Sequence, residues 1–256
     1  MSEWDMTSGP PEFLDKLWLH RIGLFTCYVG WLLNYIITIR TAQRQRISGV
    51  SLVSICNNTA WEFLFSTYYH PPHRTGSIVF FAWMLADVGV LWASVKYAPI
   101  PSNNPFRRYT PAIAILVFLG FLSGHLALTL QIGMRPAFFY GGWMSQGLIS
   151  GVALALLIQR GHTRGTSWAM WYLRLISSSG AILTSVLRSL YWPAAWAWAD
   201  SVAMRWLWGA FYTMEFSYGY LYWYLKRLEA EAEAESDAES EAREGTTGRA
   251  RLEKSK

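Results

Sequence analysis

PAIAILVFLGFLSGHLALTLQ, residues 111–131, is the stretch that decides the class of fold. It carries no Asp, Glu, Lys or Arg. As a helix rising about 1.5 Å per residue it is long enough to cross a hydrocarbon core of about 30 Å. Working outward, six more apolar blocks of similar length precede and follow it, at 17–39, 50–69, 77–97, 136–158, 168–190 and 203–225. Prolines mark several joints: Pro71 and Pro72, then Pro99, Pro101, Pro105, Pro136 and Pro193. The division between 111–131 and 136–158 rests on a short Gly-Met-Arg stretch. The expected fold is all-α, a polytopic transmembrane bundle of about seven spans.

Composition agrees. Of 256 residues, 52% are hydrophobic and 15% charged, whereas a soluble domain carries about a quarter charged. The 15 Trp and 14 Tyr suit rings gathered at the two membrane interfaces, and also suit an aromatic pocket. The net charge of +5 does not form one patch, so no nucleic-acid partner is expected and the lipid bilayer is. Basic residues gather in alternate loops, at Arg40, Arg44 and Arg46, at Lys96, Arg107 and Arg108, at Arg160 and Arg164, and at Lys226 and Arg227. The opposite side holds Lys16, Arg74 and Arg135, with Arg188 and Arg205 at span edges. That asymmetry predicts an N-terminus outside or in the lumen and a cytoplasmic C-terminus; the membrane expected is that of the endoplasmic reticulum, which makes the N-terminus luminal. Cys27 and Cys56 lie within apolar blocks and form no CxxC pair. The acidic, proline-containing start lacks the pattern of a secretory signal.

Three parts follow: an extramembrane segment at 1–16, a membrane domain at 17–227 and a Glu/Ala-rich tail at 228–256. The tail (LEAEAEAESDAESEAREG) has no apolar face and is expected to be solvated and disordered, extending the last helix for a few turns before fraying.

Ionisable groups at the bilayer centre are costly, about 2.5–3.5 kcal/mol on insertion scales, and so call for a local reason. Glu62, Asp87 and Glu215 each fall ten to twelve residues into a span, at roughly one depth, about 15–18 Å from the span starts. His125, Gln146 and Arg174 add polar atoms, and Asn57 and Asn58 precede Glu62 by one turn. Hydrogen-bonded glue between helices is one reading; for Arg174, snorkelling to the cytoplasmic face is another. A carboxylic acid kept neutral by an apolar surrounding is a proton donor. Trp61, Phe63 and Phe65 flank one acid in sequence, and Phe211, Tyr212, Phe216 and Tyr218 flank another. Aromatic faces attract cations. An acid among aromatics with water excluded is what protonation of an epoxide or alkene requires.

CNNTAWEF (56–63) resembles the second-helix signature of the integral-membrane terpene cyclases of fungal meroterpenoid and indole-diterpene pathways. MLADVGV around Asp87, GGWMSQGLIS (141–150), RGTSWAMWYLR (164–174) and MEFSYGYLY (214–222) are similar to further motifs of that family, in order, across nearly all of 15–227. The resemblance implies a cyclase, a lyase or isomerase of secondary metabolism, with no metal and no cofactor. Its substrate would be a small molecule bearing a prenyl chain, usually epoxidised, on a polyketide, aromatic or indole head, with pathway enzymes such as an epoxidase as candidate partners. The terminal epoxide or alkene would be protonated and rings closed through tertiary cations. Carried over by motif, the key acids fall on Glu62 and Glu215, the latter where some members have Asp. Asn58, Asp87 and Arg174 would form a supporting polar shell. Trp61, Phe63, His125, Gln146, Tyr212 and Tyr218 would line the substrate pocket. The sequence lacks DDxxD, DxDD, HExxH, P-loop and GxGxxG patterns. Two other readings stay open: a proton-coupled transporter of a small organic solute, and a sterol- or lipid-binding membrane protein.

Overall fold

The computed structural model describes residues 5–70, 74–101 and 103–253; the Pro71-Pro72 joint lies outside them, as do the side chains at 239 and 241–253. The described chain is helical, with no strand among the described residues. After one 3-10 turn come the short α1 (Pro11–Leu14), then α2 (Leu17–Gln45), α3 (Leu52–Phe63), α4 (Arg74–Lys96), α5 (Thr110–Ile132), α6 (Met134–Arg160), α7 (Trp168–Tyr191), the short α8 (Pro193–Trp196) and α9 (Val202–Glu253).

Among the described residues, four helical segments are long and apolar enough to cross a membrane by length and composition: α2, α4, α5 with its preceding turn, and α6. α3, α7 and α9 also sit where apolar blocks were read. α3 has 12 residues, and α7 buries a row of hydroxyls including Ser177, Ser178, Thr184 and Ser185. Polar atoms turned inward lower a helix's hydropathy without wetting its outer face. Large apolar side chains instead point outward, as Leu116 (69% exposed) and Leu130 (72%) do on α5.

The caps follow from local chemistry. Ser51 accepts from the Val53 N–H to open α3, and Ser167 from the Met170 N–H to open α7. Gly161 closes α6 with φ of 63°, a left-handed conformation that suits glycine. Pro136, read as a joint, lies in the first turn of α6, where a missing N–H costs nothing.

α2 packs against α4 on one side and α7 on the other, α3 against α4, α5 and α6, and α6 against α9. At the α2–α7 crossing Gly23 faces Gly180, and Gly30 faces Ser177. Small residues let the two backbones approach closely. A Cβ on Gly180 would stand 2.6 Å from the Gly23 carbonyl oxygen. Asn34 Nδ2 donates to the Met170 carbonyl (2.6 Å), tying the other end of the crossing.

Directly after Glu62 and Phe63 the helix widens to one π turn, Leu64–Tyr68, and the Tyr69 N–H donates to the Leu64 carbonyl (2.9 Å). At the other end of the chain, α9 does not leave the helix after Lys226: its backbone is helical to Glu253, and the side chains from 230 to 238 are exposed.

Candidate active site

Tyr35 of α2, Asn58 and Glu62 of α3, and Asp87 of α4 meet between the helices. Asn58 and Glu62 are four residues apart and so share a face. The Tyr35 hydroxyl donates to Glu62 Oε1 at 2.6 Å. Asn58 Nδ2 lies 3.0 Å from the Tyr35 oxygen, 3.2 Å from Glu62 Oε1 and 3.2 Å from Asp87 Oδ2. The Thr59 hydroxyl donates to the same Asp87 oxygen at 2.7 Å. Glu62 and Asp87 are fully buried. In each, one oxygen takes these bonds, while Glu62 Oε2 and Asp87 Oδ1 have no hydrogen-bond partner among the described residues. Buried polar atoms are rarely left unpaired, so each exception calls for a role.

Glu62 lines a cavity of about 470 Å³, within the usual size for a small-molecule site. Its walls come from α2, α3, α4, α6 and α7 and are aromatic around Glu62: Trp31, Trp61, Phe80, Trp83 and Phe138. Trp61 lies 5.3 Å from Phe80 and 5.2 Å from Phe138, and Phe80 lies 5.0 Å from Trp83, all between ring centroids. The indole N–H groups of Trp61 and Trp83 donate to the carbonyls of Phe138 and Tyr28, both at 3.0 Å. With their polar atoms bonded away, these rings offer carbon faces. The Gly141-Gly142 pair makes room for them: a Cβ on Gly142 would stand 2.9 Å from Trp61 Cζ2.

Glu215 belongs to a second, separate cluster. Arg174 grips it with two bonds, Nε to Oε1 at 2.6 Å and Nη2 to Oε2 at 2.9 Å. The Ser150 hydroxyl donates to Oε1 at 2.5 Å. The Arg174 guanidinium also lies 4.9 Å from the Tyr218 ring centroid. Arg174 is therefore a buried partner and does not snorkel. Glu215 is fully buried and does not line the cavity; Gln146 connects the two. Gln146 Nε2 donates to Ser150 Oγ at 2.8 Å, and its Oε1 accepts from Ser178 at 3.2 Å. Both Gln146 and Ser178 face the cavity.

The structure thus brings Glu62, Asn58, Asp87, Trp61 and Gln146 to or beside the cavity and sets other expected lining residues elsewhere. Phe63 turns outward, 40% exposed, against Phe118. The His125 ring bonds Asn57 (3.0 Å), and Asn57 donates to Ser145 (3.0 Å), which is helix-to-helix glue. Tyr212 donates to Ser179 at 3.0 Å, and Tyr218 stacks on Tyr222. Tyr35 and Ser150 were missed. A Tyr28, Trp31, Tyr35 spacing along one face of α2 was the available sign of the first.

No solved structure matches the chain. Among curated proteins it is 44% identical to terpene cyclase esdpB of Penicillium shearii over 229 residues, 89% of this chain and 94% of that one. It is 41% identical to terpene cyclase cle7 of Aspergillus versicolor over 220 residues, 84% and 91% of the two chains. It is 34% identical to terpene cyclase penB of Penicillium crustosum over 221 residues, 86% and 91%. The helices and these relatives agree with a family match over residues 4–228, and the chain belongs to the Pyr4-like transmembrane terpene cyclases.

Proposed function

We propose that the protein is a metal-independent, proton-initiated cyclase in which Glu62 is the acid. The observation that carries this reading is Glu62 Oε2, buried, without a hydrogen-bond partner among the described residues, on an acid that faces an aromatic cavity. Glu62 gives its proton to the terminal epoxide oxygen of a prenyl chain on a polyketide, aromatic or indole head, or to a terminal alkene. The epoxide C–O bond breaks, leaving a hydroxyl and a tertiary cation that neighbouring alkenes attack in turn to close rings. A final proton loss balances the first gain, so substrate and product are isomers and no co-reactant is consumed. The faces of Trp31, Trp61, Phe80, Trp83 and Phe138 stabilise the passing cation, and the apolar wall keeps water from capturing it. Tyr35 and Asn58 stabilise the Glu62 carboxylate as it forms, and Asp87 holds Asn58 from the far side.

Glu215 acts at one remove in this reading: paired to Arg174, it orients Ser150 and Gln146 at the cavity wall. The proposal also takes all seven long helices as spans, α3 being continued by its π turn, with the N-terminus luminal and the C-terminus cytoplasmic in the endoplasmic reticulum. A pathway epoxidase would supply the substrate. The relatives carry terpene cyclase names, which does not favour a carrier or a lipid-binding protein.

Glu62→Gln keeps the shape and removes the acid. Microsomes containing wild type should convert an epoxyfarnesyl aromatic substrate to a product of identical mass with more rings. The variant should do so at least about a hundred-fold more slowly, as loss of a general acid commonly costs. Turnover near wild type in the variant would remove Glu62 from the mechanism.

A further inference from the structure

The cavity has a second polar end. Along α2 the lining positions His20, Leu24, Cys27, Trp31 and Tyr35 form one stripe. From His20 to Tyr35, at about 1.5 Å per residue, is roughly 22 Å. Tyr35 marks the Glu62 end. At the other end His20 meets Arg188, which the α2–α7 crossing brings across from the last turn of α7.

Both residues are buried and unspent. His20 is 0% exposed, and neither ring nitrogen has a hydrogen-bond partner among the described residues. Arg188 is 7% exposed, with its Nε unpartnered among the described residues. Its guanidinium lies 4.7 Å from the Trp196 ring centroid and 5.5 Å from that of Phe139, which hold it without neutralising it. Arg21 lines this end too. Among the described residues the acid lining this end is Asp5, which accepts from the Thr7 backbone N–H (3.0 Å) and hydroxyl (2.7 Å). A buried cation with donors to spare is costly unless an anion joins it.

We propose that Arg188 and His20 bind the head group of the substrate, and that this head carries an acidic oxygen, a carboxylate or an enolate or phenolate. The inference rests on the cyclase reading and deepens it by naming the substrate class. The two ends then enforce one orientation. An anionic head placed beside Glu62 and Asp87 would face two buried acids, whereas at Arg188 it meets a cation and leaves the prenyl terminus to reach Glu62. Arg188 and His20 set specificity in this scheme and take no part in the proton transfer.

Binding separates this proposal from the chemistry. The cavity holds several tryptophans, so ligand entry can be followed by quenching of their fluorescence in detergent-solubilised full-length protein. The probes are a farnesylbenzoic acid, without epoxide or phenolic hydroxyl, and its methyl ester, so that only the first carries an acidic oxygen. Wild type should bind the acid at least about ten-fold more tightly than the ester, the scale of one charge-assisted hydrogen bond. Arg188→Gln should collapse that ratio towards one, and Arg188→Lys should restore part of it. Partial unfolding of a variant lowers the bound amplitude for both probes and leaves the ratio of Kd values alone. Equal affinity for acid and ester in wild type, or an unchanged ratio in Arg188→Gln, overturns the proposal. Glu62→Gln turnover, measured separately, decides the cyclase reading, and neither result stands in for the other.

Discussion

Tyr35→Phe removes one oxygen from the acid's surroundings and leaves the ring. In the proposed mechanism the Tyr35 hydroxyl, 2.6 Å from Glu62 Oε1, bonds a neutral Glu62 in the resting site, a contact worth about 1 kcal/mol net. Once the proton leaves, the same bond is made to a carboxylate and is worth about 1.5–3 kcal/mol. The difference, roughly 0.5–2 kcal/mol, develops only on the way to the cation, and so corresponds to about a 2- to 30-fold fall in kcat. KM should barely move, because the hydroxyl serves Glu62 and not the substrate. Asn58 also loses its contact to the Tyr35 oxygen (3.0 Å), at a stability cost of about 1 kcal/mol. The assay is the rate of ring-closed product from an epoxyfarnesyl substrate, normalised to folded protein. A double-mutant cycle completes it: in a Glu62→Gln background the same substitution should cost little, since no carboxylate forms. A kcat within two-fold of wild type, or an equal loss in both backgrounds, would refute the reasoning.

Other outcomes follow from the remaining contacts. Glu215→Gln strips Arg174 of its charge partner inside the bundle, a change that commonly costs about 3–5 kcal/mol; thermal stability in detergent should drop together with activity. Arg174→Met combined with Glu215→Leu should recover folding, and a wild-type melting temperature for Glu215→Gln alone would contradict the ion pair. Gly180→Ala sets a Cβ 2.6 Å from the Gly23 carbonyl oxygen, where no side chain can turn aside. We expect a loss of about 1–3 kcal/mol, read as a melting temperature lower by roughly 2–10 °C; an unchanged value would mean the helices part freely. Burial works against the Glu229 carboxylate, but bonds from the Thr163 hydroxyl and N–H and from Lys226 outweigh it and hold the group below its ordinary 4.5. Their stabilisation is complete above about pH 4.5 and is lost as pH falls through the lower folded value. The stability gap between wild type and Glu229→Gln should therefore close on acidification, and a gap constant with pH would exclude this origin.

The helices and the acids were legible because both follow from the cost of polarity in a bilayer. A stretch such as 111–131 has few fates, and Glu62 cannot be buried without a reason. What escaped was partnership across the chain. Arg174 and Glu215 are 41 residues apart, and no local pattern says they bond. Tyr35 reads as one more membrane tyrosine until α3 places Glu62 beside it. Arg188 was read as a charge at a span edge, whereas the crossing of α2 and α7 turns it inward. Phe63 was expected to share the pocket of Glu62 because it is adjacent in sequence. Adjacent residues on a helix stand about 100° apart, and Phe63 faces outward.

The widened turn at Leu64–Tyr68 has an evolutionary side. A π turn holds one residue more than the α-helix it interrupts, so losing a residue between 64 and 68 would regularise the helix and leave everything before it in register. The same deletion between Asn58 and Glu62 would swing the acid about 100° around α3, away from Tyr35. Length variation among descendants of this chain should thus collect in that single turn, a slack link sitting directly against the residue that tolerates none.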